Sequence, residues 1–123
     1  MKFAFSAENQ ELFSKVGQSF SSSKYYIILD STEQMQYHCL HNTFLQKEDF
    51  GLSAARMLKN NGINVVITGK CNREVYDYFE NHGIRVYTGF TGNILLIIKK
   101  FMNLQLRLGS RAGFDAEPRE ALN

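Results

Sequence analysis

The chain has 123 residues, of which 44% are apolar and 21% are charged, and its formal net charge is +2. This length and composition are typical of one globular domain and exclude a disordered or fibrous chain. Lysine and arginine are scattered without a run, whereas nucleic-acid-binding proteins concentrate them on one face, so we expect no nucleic-acid partner.

The first part of the chain predicts three strands. Residues 2–6 form the first, and residues 7–23 are a long polar loop. The β-rich run 24–30 predicts the second strand, and residues 35–42 predict the third. Because only a short turn separates the second and third strands, we expect them to be antiparallel.

Helical periodicity begins near Glu48. Apolar side chains then recur at i, i+4, i+7 and i+8, which is the spacing of one buried helix face. They are Phe50, Ala54, Met57 and Leu58. Gly62 follows as the expected left-handed cap at the end of this helix.

One pattern then occurs twice: a helix ends on glycine, a short apolar strand follows, and Thr-Gly closes the strand. Residues 65–69 and 86–89 are the two strands, and residues 72–82 predict the helix between them. A β-α-β unit of this kind has parallel strands and a right-handed crossover. A last helix is predicted from about Gly92 to Leu104.

The domain is expected to comprise residues 1–108, followed by a flexible tail, 109–123, that carries Gly, Pro and alternating charges. The longest apolar run, 94–98, is too short to span a bilayer, so we expect no membrane association. We expect no secretory signal, because the chain opens directly into Phe3-Ala4-Phe5 without an apolar h-region. Its two cysteines form no CxxC pair. We therefore expect a cytoplasmic protein with reduced thiols.

Four segments carry a resemblance to a known family. They are MKFAFS at 1–6, GLSAARML at 51–58, GINVVITGKC at 62–71 and GIRVYTG at 83–89. Together with the glycine-containing loop before the second strand, this ordered set resembles the dinitrogenase iron–molybdenum cofactor biosynthesis family. That family includes the NifX type and the C-terminal domain of NifB, and the resemblance covers roughly 1–105.

The resemblance implies an α/β fold, namely a three-layer ribonuclease-H-like motif with a mixed five-stranded sheet. It also implies binding or carriage of an iron–sulfur or molybdenum-containing cluster. Many family members occur outside nitrogen fixation, so a role in nitrogenase itself is not implied.

The chain departs from the family at two positions. Lys15 stands two residues before Gly17, where many members carry a histidine, and this change removes a candidate cluster ligand. Asn72 and Arg73 follow the fourth strand, where members often have Gly-Pro.

Three predicted strand ends lead into polar or glycine-containing loops, and ligands of open α/β sheets bind outside the carboxyl ends of strands. Two of these loops precede helices, whose free N–H groups and positive dipole ends attract anions. The predicted cofactor-binding residues are Ser6, Lys15, Gly17, Gly69, Lys70, Asn72, Arg73 and Gly89. The alternative is that the glycines only form tight turns and Asn72 only caps a helix.

Cys71 is the predicted metal ligand, because a helix N-terminus beside it is expected to lower the pKa of its thiol and favour the thiolate that soft metals bind. The alternative is a small buried core residue. A second metal hypothesis concerns residues 38–41 (HCLH). On a strand only Cys39 and His41 share a face, and two ligands do not close a tetrahedral site, so a structural role is preferred there.

The sequence has no Gly-x-Ser-x-Gly elbow, no HExxH and no Walker A motif. We therefore predict a metal-cluster binding or carrier module and not an enzyme. Two alternatives stay open. One is an enzyme that uses the predicted anionic-ligand crevice at these strand ends for a phosphorylated small molecule, and the other is an interaction domain without a cofactor.

The last predicted helix is apolar on more than one side. Its inward stripe falls at i, i+3, i+4 and i+7 and consists of Ile94, Ile97, Ile98 and Phe101. Leu95, Leu96 and Met102 project from other sides. We expect a homodimer or a partner-protein contact through this helix; the alternative is that apolar residues of 106–114 fold back over it.

Overall fold

The computed structural model describes residues 1–31, 36–45 and 51–100. Within them the strands and helices are β1 (Lys2–Ala7), β2 (Tyr25–Asp30), β3 (Gln36–His41), α1 (Leu52–Asn60), β4 (Val65–Ile67), α2 (Arg73–Asn81) and β5 (Arg85–Tyr87). A further helical segment, α3, comprises residues 94–100 at the end of the described chain. No helix in these ranges is both long enough and apolar enough to span a bilayer.

The strands form one mixed five-stranded sheet in the order β3-β2-β1-β4-β5. β2 is antiparallel to both β1 and β3, whereas β1, β4 and β5 are parallel to one another. The predicted α/β class, the mixed five-stranded sheet, the antiparallel β2–β3 pair and the parallel β4–β5 pair are confirmed. The narrower designation as a ribonuclease-H-like motif stays a prediction.

Both faces of the sheet are covered by helices. Phe3 and Phe5 of β1 lie on the face that packs against α3, and Ala4 lies on the face that packs against α1 and α2. The predicted inward residues of α3 that the structure describes are buried: Ile94, Ile97 and Ile98. Burial of each such side chain contributes about 1.5–3 kcal/mol, which holds α3 against this face of the sheet.

The helix ends follow the predicted signals in part. Asn72 caps α2, because its Oδ1 accepts the N–H of Val75 at 2.9 Å. Gly62 has a φ of 78°, which confirms the left-handed position expected after α1. α1 begins at Leu52, directly after Gly51, whose φ of 95° favours glycine.

Some predictions lie outside the described residues. They are the turn before β3, the helix start near Glu48, the inward position of Phe101, the domain boundary at residue 108 and the tail 109–123.

Candidate functional site

Four of the predicted site residues are joined by backbone hydrogen bonds at the carboxyl ends of β1, β4 and β5. The N–H of Gly17 donates to the carbonyl oxygen of Ser6 at 2.8 Å, and the N–H of Gly69 donates to that of Gly17 at 3.3 Å. The N–H of Gly89 then donates to the carbonyl oxygen of Gly69 at 2.8 Å. We call Ser6, Gly17, Gly69 and Gly89 the strand-end cluster.

A buried hydroxyl pair lies behind the strand-end cluster. The Ser6 hydroxyl is 2.7 Å from Thr68 Oγ1 and 3.3 Å from the carbonyl oxygen of Gly17, and neither hydroxyl side chain is exposed. Ser6 therefore ties β1 to the end of β4 through its side chain. Sequence reasoning missed Thr68, although the Thr-Gly that closes each repeated strand was the signal that marks it.

Two glycines of the strand-end cluster are required by close packing of loops. A Cβ atom at Gly69 would lie 2.5 Å from the carbonyl oxygen of Gln18, and a Cβ atom at Gly17 would collide with the Ser23 hydroxyl. Close packing of the loops therefore accounts for glycine at both positions. It does not conflict with a ligand site, since the same packing brings several backbone segments together.

The N-terminus of α3 is closed by the chain itself. The N–H of Ile94 donates to the carbonyl oxygen of Ser14 at 2.9 Å, and that of Leu95 donates to Asn93 Oδ1 at 2.8 Å. The N–H of Leu96 lies 3.3 Å from the same Asn93 oxygen. The expectation that these N–H groups attract an anion is therefore wrong, because they already have acceptors.

The predicted cationic residues lie on the surface around the strand-end cluster. Lys15 precedes Gly17 by two residues and is exposed, as is Lys70, whose carbonyl oxygen accepts the N–H of Phe20 at 2.8 Å. Arg73 lies in the first turn of α2 and forms an exposed ion pair with Asp77 at 3.5 Å. Exposed pairs of this type contribute less than about 1 kcal/mol, so Arg73 can exchange this partner for an anionic ligand.

A polar surface depression of about 390 Å³ lies beside the strand-end cluster. Its lining residues are Ala7, Glu8, Asn9, Gly17, Gln18, Ser22, Ser23 and Lys24. Gly17 is the one member of the predicted site in this lining, which contains neither cysteine nor histidine. The volume is within the range of small-molecule sites, and the lining suits a polar ligand.

Cys71 lies in the core and not at the surface of the crevice. Its side chain is 1% exposed and belongs to the apolar cluster that includes Phe20, Tyr26 and Phe79. Burial raises the pKa of the Cys71 thiol to about 12. The expected lowering of this pKa is therefore wrong, because desolvation outweighs the nearby helix dipole. The ligand role of Cys71 stays a prediction.

The described residues contain no group of three His, Cys, Asp or Glu side chains placed to hold a metal ion. Cys39 and His41 share one face of β3, as expected, since they are paired with Ile27 and Tyr25. The His41 ring packs against the ring of Tyr25 at 5.1 Å, which supports the structural interpretation of this pair.

Comparison with known proteins gives one family and one fold. The family model described as dinitrogenase iron–molybdenum cofactor matches residues 1–104. Among solved structures, PH0822 is 28% identical with a TM-score of 0.73, covering 84% of this chain and 89% of that one. The apo form of the orange protein from Desulfovibrio gigas is 20% identical with a TM-score of 0.78, covering 85% and 88%.

A candidate NifB protein from Thermotoga is 24% identical with a TM-score of 0.72, covering 83% of this chain and 87% of that one. The likenesses below 25% identity show the fold alone. A search of curated proteins found no match.

Proposed function

The chain belongs to the dinitrogenase iron–molybdenum cofactor family, and from this we propose that it is an accessory protein that binds and carries a metal cluster. The cargo is an iron–sulfur or molybdenum-containing cluster, and the protein is not an enzyme. The observation that carries the proposal is the family match over residues 1–104. The meeting of Ser6, Gly17, Gly69 and Gly89 at the strand ends supports it, because ligands of such sheets bind there.

We propose that the cargo is held chiefly by charge and hydrogen bonds. The described residues offer no preformed set of three ligands, and a Cys71 thiol with a pKa of about 12 is protonated near neutral pH. A cluster that brings its own sulfur ligands is anionic and suits the exposed Lys15 and Lys70. The polar depression that Gly17 lines offers further hydrogen-bonding groups. Hydrogen bonds to charged groups contribute about 1.5–3 kcal/mol each.

Anaerobic titration tests this proposal. The protein is titrated with iron and sulfide in one series and with tetrathiomolybdate in another, and the visible absorption spectrum is followed. We expect the spectrum of a protein-dependent complex that saturates as metal is added. The absence of any protein-dependent spectrum in both series would contradict the proposal.

The predicted ligand role of Cys71 is tested in the same titration. If the buried thiol leaves the core to coordinate the cargo, Cys71→Ser loses the absorption of the complex. Equal uptake by the wild type and Cys71→Ser supports retention by charge and hydrogen bonds alone.

An enzyme acting on a phosphorylated small molecule is the second candidate, favoured by the polar lining of the same depression and by Lys24 on its wall. Binding of such a compound by metal-free protein, with no response in the metal titrations, would favour this alternative. An interaction domain without a cofactor predicts no binding in either experiment.

We propose a partner-protein contact through the exposed side of α3. Leu96 is 61% exposed, and Phe13 is 64% exposed. Asn93 connects them, since its Nδ2 donates to the Phe13 carbonyl oxygen at 2.9 Å and its Oδ1 lies 3.3 Å from the Leu96 N–H. Lys99 and Lys100 follow Leu96 at i+3 and i+4 and are exposed. Because the two exposed lysines make this side of α3 basic, an acidic partner is the better fit.

We also propose a cytoplasmic location, because neither Cys39 nor Cys71 forms a disulfide, as expected in a reducing compartment.

A further inference from the structure

The two edges of the sheet differ in a way that bears on association. β5 is three residues long and begins with the exposed Arg85. β3 is six residues long and is paired with β2 without interruption, from Gln36 to His41. It contains no proline and no Asp, Glu, Lys or Arg. Proteins normally protect edge strands with charge, proline, bulges or short length, and β3 has none of these within its six residues.

The direction of the backbone groups of β3 follows from one hydrogen bond. The N–H of Asn42, the residue after the strand, donates to the carbonyl oxygen of Lys24 at 2.8 Å. Because hydrogen-bonded residues alternate along an antiparallel ladder, the even-numbered residues of β3 bond to β2. The N–H and C=O groups of Tyr37, Cys39 and His41 therefore point away from β2, toward the edge of the sheet.

We propose that β3 pairs antiparallel with β3 of a second copy, about a two-fold axis at Cys39. In this register Cys39 faces Cys39 of the second copy, and Tyr37 faces the second copy's His41. We call Tyr37, Cys39 and His41 the outward residues. Each of them then forms two backbone hydrogen bonds, one through its N–H and one through its C=O, with the outward residue that faces it in the second copy. A shift by two residues in either direction leaves one outward residue of each β3 without a partner in the opposing strand.

The side chains favour a second copy over a foreign peptide. β3 carries no Asp, Glu, Lys or Arg. Pairing of two copies of β3 therefore causes no repulsion between such side chains. Tyr37 is 44% exposed and His41 is exposed, and the new register places them side by side. The chain already contains a cross-strand pair of this type, because Tyr25 faces His41 in the β2–β3 ladder with their rings 5.1 Å apart.

The test is the oligomeric state measured by sedimentation, with paired variants at one position. Cys39→Pro removes the outward N–H but no bond to β2, and proline is tolerated on an edge strand in this orientation. Cys39→Ala keeps the N–H and is the matched control. We expect the wild type and Cys39→Ala to form dimers, and Cys39→Pro to be a folded monomer with its dimer dissociation constant raised at least tenfold.

Cys39→Lys is a second disrupting variant, for use if the proline variant does not fold, because it places two lysines opposite each other at the axis. A short bis-maleimide should cross-link the wild type, but not Cys39→Ala, into a covalent dimer. A wild type that is monomeric at high concentration overturns the proposal. So does a dimer that survives both Cys39→Pro and Cys39→Lys, or one that is lost in Leu96→Glu and kept in Cys39→Pro. The outcome is independent of whether the protein carries a cluster.

Discussion

The hydroxyls of Ser6 and Thr68 lie 2.7 Å apart with no solvent exposure, and they join the end of β1 to the end of β4. Ser6 belongs to the strand-end cluster, so its side chain serves the framework of the site while its carbonyl oxygen accepts the N–H of Gly17. Ser6, which was predicted to bind the cofactor, therefore holds the end of β1 to the end of β4 and to the loop at Gly17.

Thr68→Val should lower the free energy of unfolding by about 1–3 kcal/mol, because it leaves the buried Ser6 hydroxyl without its closer partner. Thr91→Val, at an exposed position, is the matched control and should stay within about 0.5 kcal/mol of the wild type. Urea denaturation followed by circular dichroism measures both. Equal stability of the two variants would show that the hydroxyl pair contributes nothing.

The buried thiol of Cys71 makes stability depend on pH. Its pKa is about 12 in the folded protein, against an ordinary value of about 8.5, so the unfolded chain loses this proton first as pH rises. The contribution of this thiol to the free energy of unfolding is fully present below about pH 8.5. It falls between there and pH 12, by at most about 1.4 kcal/mol per pH unit. Cys71→Ala should reduce this slope in denaturation experiments between pH 8 and 10.

An unchanged slope in Cys71→Ala would contradict the assigned burial. Thiol titration gives a second check, because a disulfide reagent at pH 8 should modify Cys39 in the folded protein and reach Cys71 only after unfolding.

Lys70→Ala should weaken binding of an anionic cluster more than tenfold, because it removes a charge-assisted contact worth about 1.5–3 kcal/mol. Lys59→Ala is the control, because it removes the same charge at a position outside the predicted site. Lys59 lies in the last turn of α1, before β4 begins, and away from the carboxyl ends of the strands. The dissociation constants from the anaerobic titrations should differ between the two variants and should rise with salt. Equal dissociation constants for both variants would show that Lys70 does not contact the cluster.

Leu96→Glu should leave the free energy of unfolding within about 0.5 kcal/mol of the wild type, because the side chain is 61% exposed. Ile97→Glu, one residue later and 7% exposed, should destabilise strongly because it buries a charge. Thermal unfolding of the two variants measures this contrast. A large loss in Leu96→Glu would mean that the side chain is covered within the folded chain and is not available to a partner.

Local signals in the sequence were sufficient for most of the framework. The repeated pattern of glycine, apolar strand and Thr-Gly correctly predicted that β4 and β5 are parallel, because a helix must cross between them. The spacing of Ile94, Ile97 and Ile98 correctly predicted the buried side of α3.

The site was less predictable because long-range contacts shape it. The N–H of Ile94, at the start of α3, donates to the carbonyl oxygen of Ser14, a residue 80 positions earlier, so local sequence could not show that this group is occupied. The cap that Asn93 provides for Leu95 and Leu96 is local, in contrast. Cys71 follows a strand, where exposure is common, but Phe20 from the long loop packs in the same apolar cluster. Loop positions that depend on such distant partners are not encoded in local patterns.

The most direct test of the proposed carrier function is the metal content of the protein purified anaerobically from cells that assemble iron–sulfur and molybdenum cofactors. Iron and molybdenum are measured by mass spectrometry in the wild type, Lys70→Ala and Lys59→Ala, each normalised to protein. We expect a coloured wild type with stoichiometric metal, retained in Lys59→Ala and reduced in Lys70→Ala. A colourless wild type without iron or molybdenum would contradict the proposal that this protein carries a metal cluster.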